Sequence, residues 1–525
     1  VRPLPFTIAG AGGLGGKDGG SGGSGGGTEA PNSLKSTQIA KVVDLLSEGP
    51  IKGVVGDRKG IYLDGTPLMN ANGSVNFKDC IVQFSRGYPD QPIMKGFEAQ
   101  QSEEAVGVQL KAGFPVVKSI LNSDADRARV TVSTPSLQTV NKQTGDISGS
   151  EIVYRIELQN AGGGFKVIGA YKISGKTNTQ YQQAVMFQLP HGGPWDIRLT
   201  RLSADSTVVE LQNDLYWDSY TELVDDRVNY TLSACVGFQI NAEQFRTIPK
   251  RTYLVDGLLV RIPSNYDPYK RTYSGAWDGR FKIDWTCNPA WVLYDLIDND
   301  RYGIGQFIPS SQIDKWSFYD VGVWCDQRVP DGRGSTEPRY SCNVQITSQA
   351  EAFDLLGQFA GIFRGFLYWN GSSMVAVADK PADFSDQFTN ANVIDGIFSY
   401  AGTDIRARHN QAAVTWNDPA LLGEQRIAVV EDQQAISRYG IQKVDVAAIG
   451  CSDETQALRQ GKWQLYTEQY EGEAVQFSCG HQGAFLKPGA IIQVMDALIA
   501  GKRRGGRIGT GSTPNTIHFD QPVRI

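Results

Sequence analysis

The hydrophobic positions change their period several times along the chain. Between residues 34 and 47, Ile39, Val42, Val43 and Leu46 fall at i, i+3, i+4 and i+7, one face of a helix, with Ser33 placed to cap it and Gly49-Pro50 to stop it. Short apolar runs then alternate with turn residues: Ile61-Tyr62-Leu63 before Asp64-Gly65, Thr66 to Leu68, and Ile81 to Phe84 before Arg86-Gly87. From 122 to 204 the period is that of strands, in ARVTVSTP, EIVYRIELQ, FKVIGAYKIS, QAVMFQLP and WDIRLTRLS. About seven strands spaced roughly ten residues apart predict a sandwich of the immunoglobulin or fibronectin type III kind.

Beyond residue 205 both periods occur. Pro289 to Asp298 reads as a helix with Pro289 in its first turn after Asn288, and it is apolar on every side, so it should be buried. A second helix is predicted at 348–363, followed by a hairpin, FLYWNGSSMVAVADKP, that turns at Asn370-Gly371. A third at 452–466 opens with Ser-Asp-Glu-Thr and leads to EAVQFSCG and LKPGAIIQVMD, two strands around a Pro-Gly turn in the manner of a small barrel. The expectation is an α+β, β-rich, multidomain chain. Its segments are an extended glycine-rich arm at 1–33, an α-then-β segment at 34–118, the sandwich at 119–204, a central α+β segment at 205–400 and a small-barrel segment at 401–525.

Composition narrows the function. A length of 525 residues suits three or four domains, and 41% hydrophobic with 20% charged residues is the balance of a folded chain. The formal net charge of -6 argues against a dedicated nucleic-acid binder, which needs excess Lys and Arg to displace counterions from phosphate. Seven cysteines, odd in number and without a Cys-x-x-Cys pair, read as reduced thiols of a protein made in a cytosol. No run of eighteen apolar residues occurs, and no signal-like segment opens the chain. The opening Val and the strand-like close TIHFDQPVRI read as a piece of something longer.

Candidate chemistry is sparse. GAGGLG at 10–15 fits a dinucleotide-loop pattern, but 12 of the 18 residues from Gly10 to Gly27 are glycine, so no helix can begin there to hold a pyrophosphate. The arm reads instead as a flexible segment, or one ordered against a partner. Ile173-Ser-Gly-Lys-Thr177 resembles the end of a phosphate loop, yet strands flank it and Ala170 stands where its first glycine belongs, so it reads as a turn. The four histidines lack metal-ligand spacing, and Asp124-Ala-Asp126 is too short for a calcium loop. Carboxylates in Asp295-Leu-Ile-Asp-Asn-Asp300 and Glu431-Asp432 read as caps or solvated faces, with a glycosidase pair as the alternative. The aromatic stretches 266–279 and 366–369 suit sugar platforms or, preferably, protein interface anchors. Lys502-Arg503-Arg504 and Arg507 should face a partner or solvent. The expected catalytic, cofactor-binding and metal residues are none, and so is the cofactor.

Several longer stretches carry a resemblance. NSLKSTQIAKVVDLLSEGPIKG (32–53), PSNYDPYKRTYSGAWDGRFK (263–282), NPAWVLYDLIDNDRYGIG (288–305), DKWSFYDVGVWCDQRVPDGRGSTEPRYSCN (314–343), EDQQAISRYG (431–440) and LKPGAIIQVMD (486–496) resemble the host-specificity protein J family, the tail tip attachment proteins of lambda-like siphophages. The resemblance runs in order from about Asn32 to about Arg507. It implies a homotrimeric baseplate hub with tail-tube-like domains, a fibronectin-like insertion, and a distal receptor-binding region lying outside this sequence. The implied partners are other tail tip, distal tail and tape-measure proteins and a host outer-membrane receptor, with DNA passing through the lumen without specific binding. The implied location is the virion tail tip, after synthesis and assembly in the host cytoplasm. A tail-associated glycan or peptidoglycan hydrolase and an isolated carbohydrate-binding adhesin remain as alternatives.

Overall fold

The computed structural model describes residues 28–36, 39–225, 227–241, 244–245, 247–347, 351–402, 408–500 and 508–518. The glycine tract with GAGGLG, and Lys502 to Arg507, lie outside them. The chain divides into two compact units, one of residues up to 42, 92–229 and 237–247, the other of 43–91, 230–236 and 248 onward.

The first unit is a β-sandwich. One sheet orders strands Lys166–Gly175, Ser150–Asn160, Trp195–Arg201 and Val116–Ile120; the other orders Tyr181–Gln188, Arg127–Thr134, Tyr216–Asp225 and Glu98–Gln109. Alternation builds the core directly: Trp195, Ile197 and Leu199 point inward from one strand, Ala128, Val130 and Val132 from another. The sandwich therefore begins and ends outside the expected 119–204. Its outermost strand, Glu98–Gln109, reads EAQQSEEAVGVQ, too polar to announce itself by hydrophobic alternation. It pairs with the strand Tyr216–Asp225 more than a hundred residues later.

Among the described residues, the second unit holds two apolar cores. The larger surrounds helix α1 (Pro289–Asp298), with α2 (Lys315–Asp326), α3 (Ala352–Ile362), strand Val255–Pro263 and the hairpin Gly365–Trp369 with Met374–Ala378. Nine of the ten residues of α1 are buried, as its all-round apolarity predicts. Asn288 caps α1 by accepting from the Ala290 amide at 3.0 Å, and Pro289 occupies the first turn. Gly322 on α2 is where α2 meets Trp291: a Cβ there would lie 2.9 Å from its indole nitrogen. The smaller core lies between α5 (Glu454–Tyr470) and a three-stranded sheet of Glu424–Glu431, Gln411–Asp418 and Lys443–Ala447.

Two expected elements are corrected. Residues 39–48 form a strand, not a helix, hydrogen-bonded to Ser233–Asn241, which also pairs with Ile81–Arg86. The β-branched Ile39, Val42 and Val43 accept an extended backbone readily, and the partner strand lies some 190 positions away, beyond any local periodicity. The strands at 473–476 and 492–495 do not pair with each other around a Pro-Gly turn. Glu473–Gln476 joins Ser399–Gly402 antiparallel, and Ile492–Met495 joins Asp386–Thr389 in parallel.

Candidate interaction surface

The stretch 266–279 folds inward, against the expectation of interface anchors. Tyr266 and Trp277 are buried, Tyr266 stacks on Tyr273 at 4.6 Å, and Trp277 stacks on Tyr319 of α2 at 5.0 Å. The polar edges are satisfied internally: Trp277 Nε1 donates to the Arg280 carbonyl at 2.6 Å, and Trp291 Nε1 donates to Tyr273 Oη at 3.1 Å. These rings are core because α1 and α2, which follow in sequence, supply the other half of the cluster. Tyr269 stays exposed, with Trp285 and the Lys52 ammonium stacked beside it. In the 366–369 stretch, Phe366 and Trp369 are exposed on the hairpin while Leu367 and Tyr368 are half-buried.

The carboxylates do not converge on a cleft. Asp295 accepts from the Arg261 amide at 3.1 Å and from the Tyr302 hydroxyl, and burial raises its pKa despite these bonds. Asp298 takes the Arg261 guanidinium and the Ser310 hydroxyl. Asp432 caps α4 (Gln433–Tyr439), accepting from the Gln434 and Ala435 amides at 3.0 and 3.1 Å, and Glu431 accepts from Gln411 at 2.6 Å. Asp126 is held by Arg227 at 2.6 Å. His409 Nδ1 lies 2.9 Å from Glu468, and among the described residues no His, Cys, Asp and Glu group is arranged for a metal. Burial pushes the Cys342 thiol up to about 12 and Cys451 up to about 11, so neither is a ready nucleophile.

The turn at Gly175-Lys176-Thr177 is covered by the chain's own residues 28–36. Ser33 Oγ accepts from the Lys176 amide at 3.0 Å, the Ser33 amide donates to the Lys176 carbonyl at 3.0 Å, and Glu29 takes the buried Lys176 ammonium. A lysine so enclosed cannot reach a phosphate, which agrees with the turn reading. Ser33, expected as a helix cap, instead fastens this strap.

One concave surface in the second unit was not read from the sequence. Arg459, Lys462, Trp463 and Tyr466 share a face of α5, and they meet Arg339 and Arg364 around a recess of about 310 Å³. The Arg364 guanidinium lies 4.9 Å from the Trp463 ring centre and donates to the Arg459 carbonyl at 3.0 Å. The i, i+3, i+4, i+7 spacing on α5 was available as a signal; the two arginines from distant segments were not.

Residues 100–226 match the FNIII-A domain of tip attachment protein J, the span occupied by the sandwich, and residues 351–510 match the Phage-tail_3 family of phage tail proteins. These matches define the class, a phage tail protein carrying a fibronectin type III domain. Tip attachment protein J of Escherichia phage SECphi4 is 35% identical over 500 residues, covering 93% of this chain and 44% of that protein. Its counterpart in Escherichia phage SECphi27 is 37% identical over 443 residues, covering 83% of this chain and 37% of that protein. The chain belongs to the tip attachment protein J family, and it spans less than half the length of these relatives. Among solved structures, the xylan-binding CBM22-1 domain of Paenibacillus barcinonensis Xyn10C is 10% identical over 37% of this chain and 99% of its own, with a TM-score of 0.14 that establishes nothing about the fold.

Proposed function

We propose that this chain is the hub portion of a phage tail-tip protein, a structural component that closes the tail tube as a homotrimer and catalyses no reaction. The observation that carries the reading is the 35% identity with tip attachment protein J of Escherichia phage SECphi4 over 93% of the chain. The engaged state of Asp295, Asp298 and Asp432 supports a structural role over a hydrolytic one, since each already has fixed donors. In this reading three copies meet through heterologous contacts that close into a ring. The exposed Phe366 and Trp369 supply apolar area for such contacts. Tape-measure and distal tail proteins are the neighbours, and assembly takes place in the host cytoplasm. A host outer-membrane receptor is engaged by a region outside this sequence, and DNA leaves through the lumen, where a net charge of -6 disfavours retention of phosphate. Sedimentation equilibrium of the purified chain tests the trimer. A mass of three times 57.4 kDa is expected, and a monomer at every accessible concentration overturns it.

A further inference from the structure

We propose that the recess between α5 and the segments carrying Arg339 and Arg364 is a docking site for acidic side chains of a partner protein. Four cations, Arg339, Arg364, Arg459 and Lys462, line it. Among the described residues, only Arg459 of the four has a carboxylate in ion-pair contact, Glu337. Arg339 stacks on Trp324 at 3.7 Å and donates to the neutral Gln327 side chain at 3.2 Å. Arg364 donates to the Arg459 carbonyl and the Gln460 side chain, neither of them charged. Lys462 is exposed and, among the described residues, has no ion-pair partner.

Gathering like charges in a half-buried concavity costs free energy unless a counter-charge arrives. Burial holds the Arg364 pKa below its ordinary value against the opposing pull of Tyr340 and Asp379, and the Arg339 charge adds a smaller push in the same direction. Arg459 is lowered by burial as well. Anions that complete such a site form charge-assisted hydrogen bonds with the guanidinium edges left free by ring stacking.

The shape selects the source of the anion. A recess of about 310 Å³ holds one or two side chains, whereas a nucleic-acid backbone needs an extended basic track, which a chain of net charge -6 is poorly composed to offer. Tyr466 of the recess lies 4.4 Å, ring centre to ring centre, from Tyr470 one turn further along α5, and both are exposed. Aromatic rings beside cations are the composition of protein–protein hot spots. Charge complementarity thus commits the site to an acidic polypeptide segment. Taking another tail protein as the source of that segment rests on the proposed function; the choice of an acidic polypeptide does not.

The test measures binding of fluorescent hexaglutamate to the full chain by anisotropy at low salt, with hexaglutamine, inorganic phosphate and a short DNA duplex as comparators. Hexaglutamate should bind, hexaglutamine should not, and phosphate should compete only weakly. The exposed Lys462 permits a variant that keeps the fold: Lys462→Glu should weaken hexaglutamate roughly tenfold and Lys462→Gln by less, with unchanged melting temperatures. Equal affinity in Lys462→Glu, tighter binding of the duplex than of hexaglutamate, or no hexaglutamate binding overturns the proposal. None of these results depends on whether the chain forms a trimer.

Discussion

Arg271 and Asp326 form a buried ion pair in the second unit, their side chains 7% and 3% exposed. Arg271 also donates to Ser341 Oγ at 2.5 Å and to the Tyr340 carbonyl at 2.7 Å, and Asp326 accepts from Asn288 at 2.7 Å and Tyr273 at 3.1 Å. One pair thereby ties the aromatic stretch at 266–273, the α1 cap, the end of α2 and the segment at 340–341. Arg271 sits at φ 55°, a backbone region unusual for arginine, held by these contacts.

Asp326→Ala should lower the stability of the second unit by about 3–5 kcal/mol, because it leaves a buried guanidinium uncompensated. Urea denaturation followed by tryptophan fluorescence reads the shift. Replacing both partners, Arg271→Met with Asp326→Leu, should recover a large part of the loss.

Gly322→Ala should destabilise the same unit by about 1–3 kcal/mol, since its methyl group would press on the Trp291 indole within the packed core. Thermal unfolding should show the drop. Gly332→Ala is a poor control because its φ is 76°, whereas Gly357→Ala, with open space around its Cβ, should leave the midpoint unchanged or slightly raised.

Acid should weaken the contact of Asp44 with Arg251 and Tyr253. Burial pushes the Asp44 pKa up, but hydrogen bonds from Arg251 and Tyr253 together with the guanidinium charge bring it below the ordinary 3.8. A carboxylate with a depressed folded-state pKa stabilises fully above its unfolded value, and that stabilisation is lost as pH falls through the folded value. Melting temperatures of the native chain and of Asp44→Asn should therefore differ at neutral pH and converge as pH falls below the ordinary 3.8 and through the lowered folded-state value.

Glu29→Ala should loosen the strap over the sandwich, leaving the Lys176 ammonium buried without its carboxylate. Glu29 is half-exposed, so the cost is modest, and the sensitive readout is hydrogen exchange. The amides of Ser33, Leu34 and Lys176, which bond across the strap, should exchange faster while the sandwich core stays protected.

Local chemistry made some elements readable before the fold was known. The Asn288-Pro289 cap with an all-round apolar run identified α1, and Asn370-Gly371 identified the hairpin. Partners distant in sequence hid others. The strand at 39–48 shares its spacing with a helix, and only its pairing with 233–241 decides between them. Helix α2 was missed because Gly322 and several β-branched or aromatic residues weaken its propensity, which packing against α1 overrides. Aromatic residues at 266–279 looked like surface anchors because sequence does not reveal that α1 and α2 close over them. The cationic recess is assembled from three segments, so composition alone could not locate it.

Membership of the tip attachment protein J family leads to one direct observation on virions. Gold-labelled antibody raised against the sandwich, residues 100–226, should decorate the distal end of the tail in electron micrographs of phage carrying this protein. Label confined to the capsid, or absent from purified particles that retain intact tails, would contradict the account.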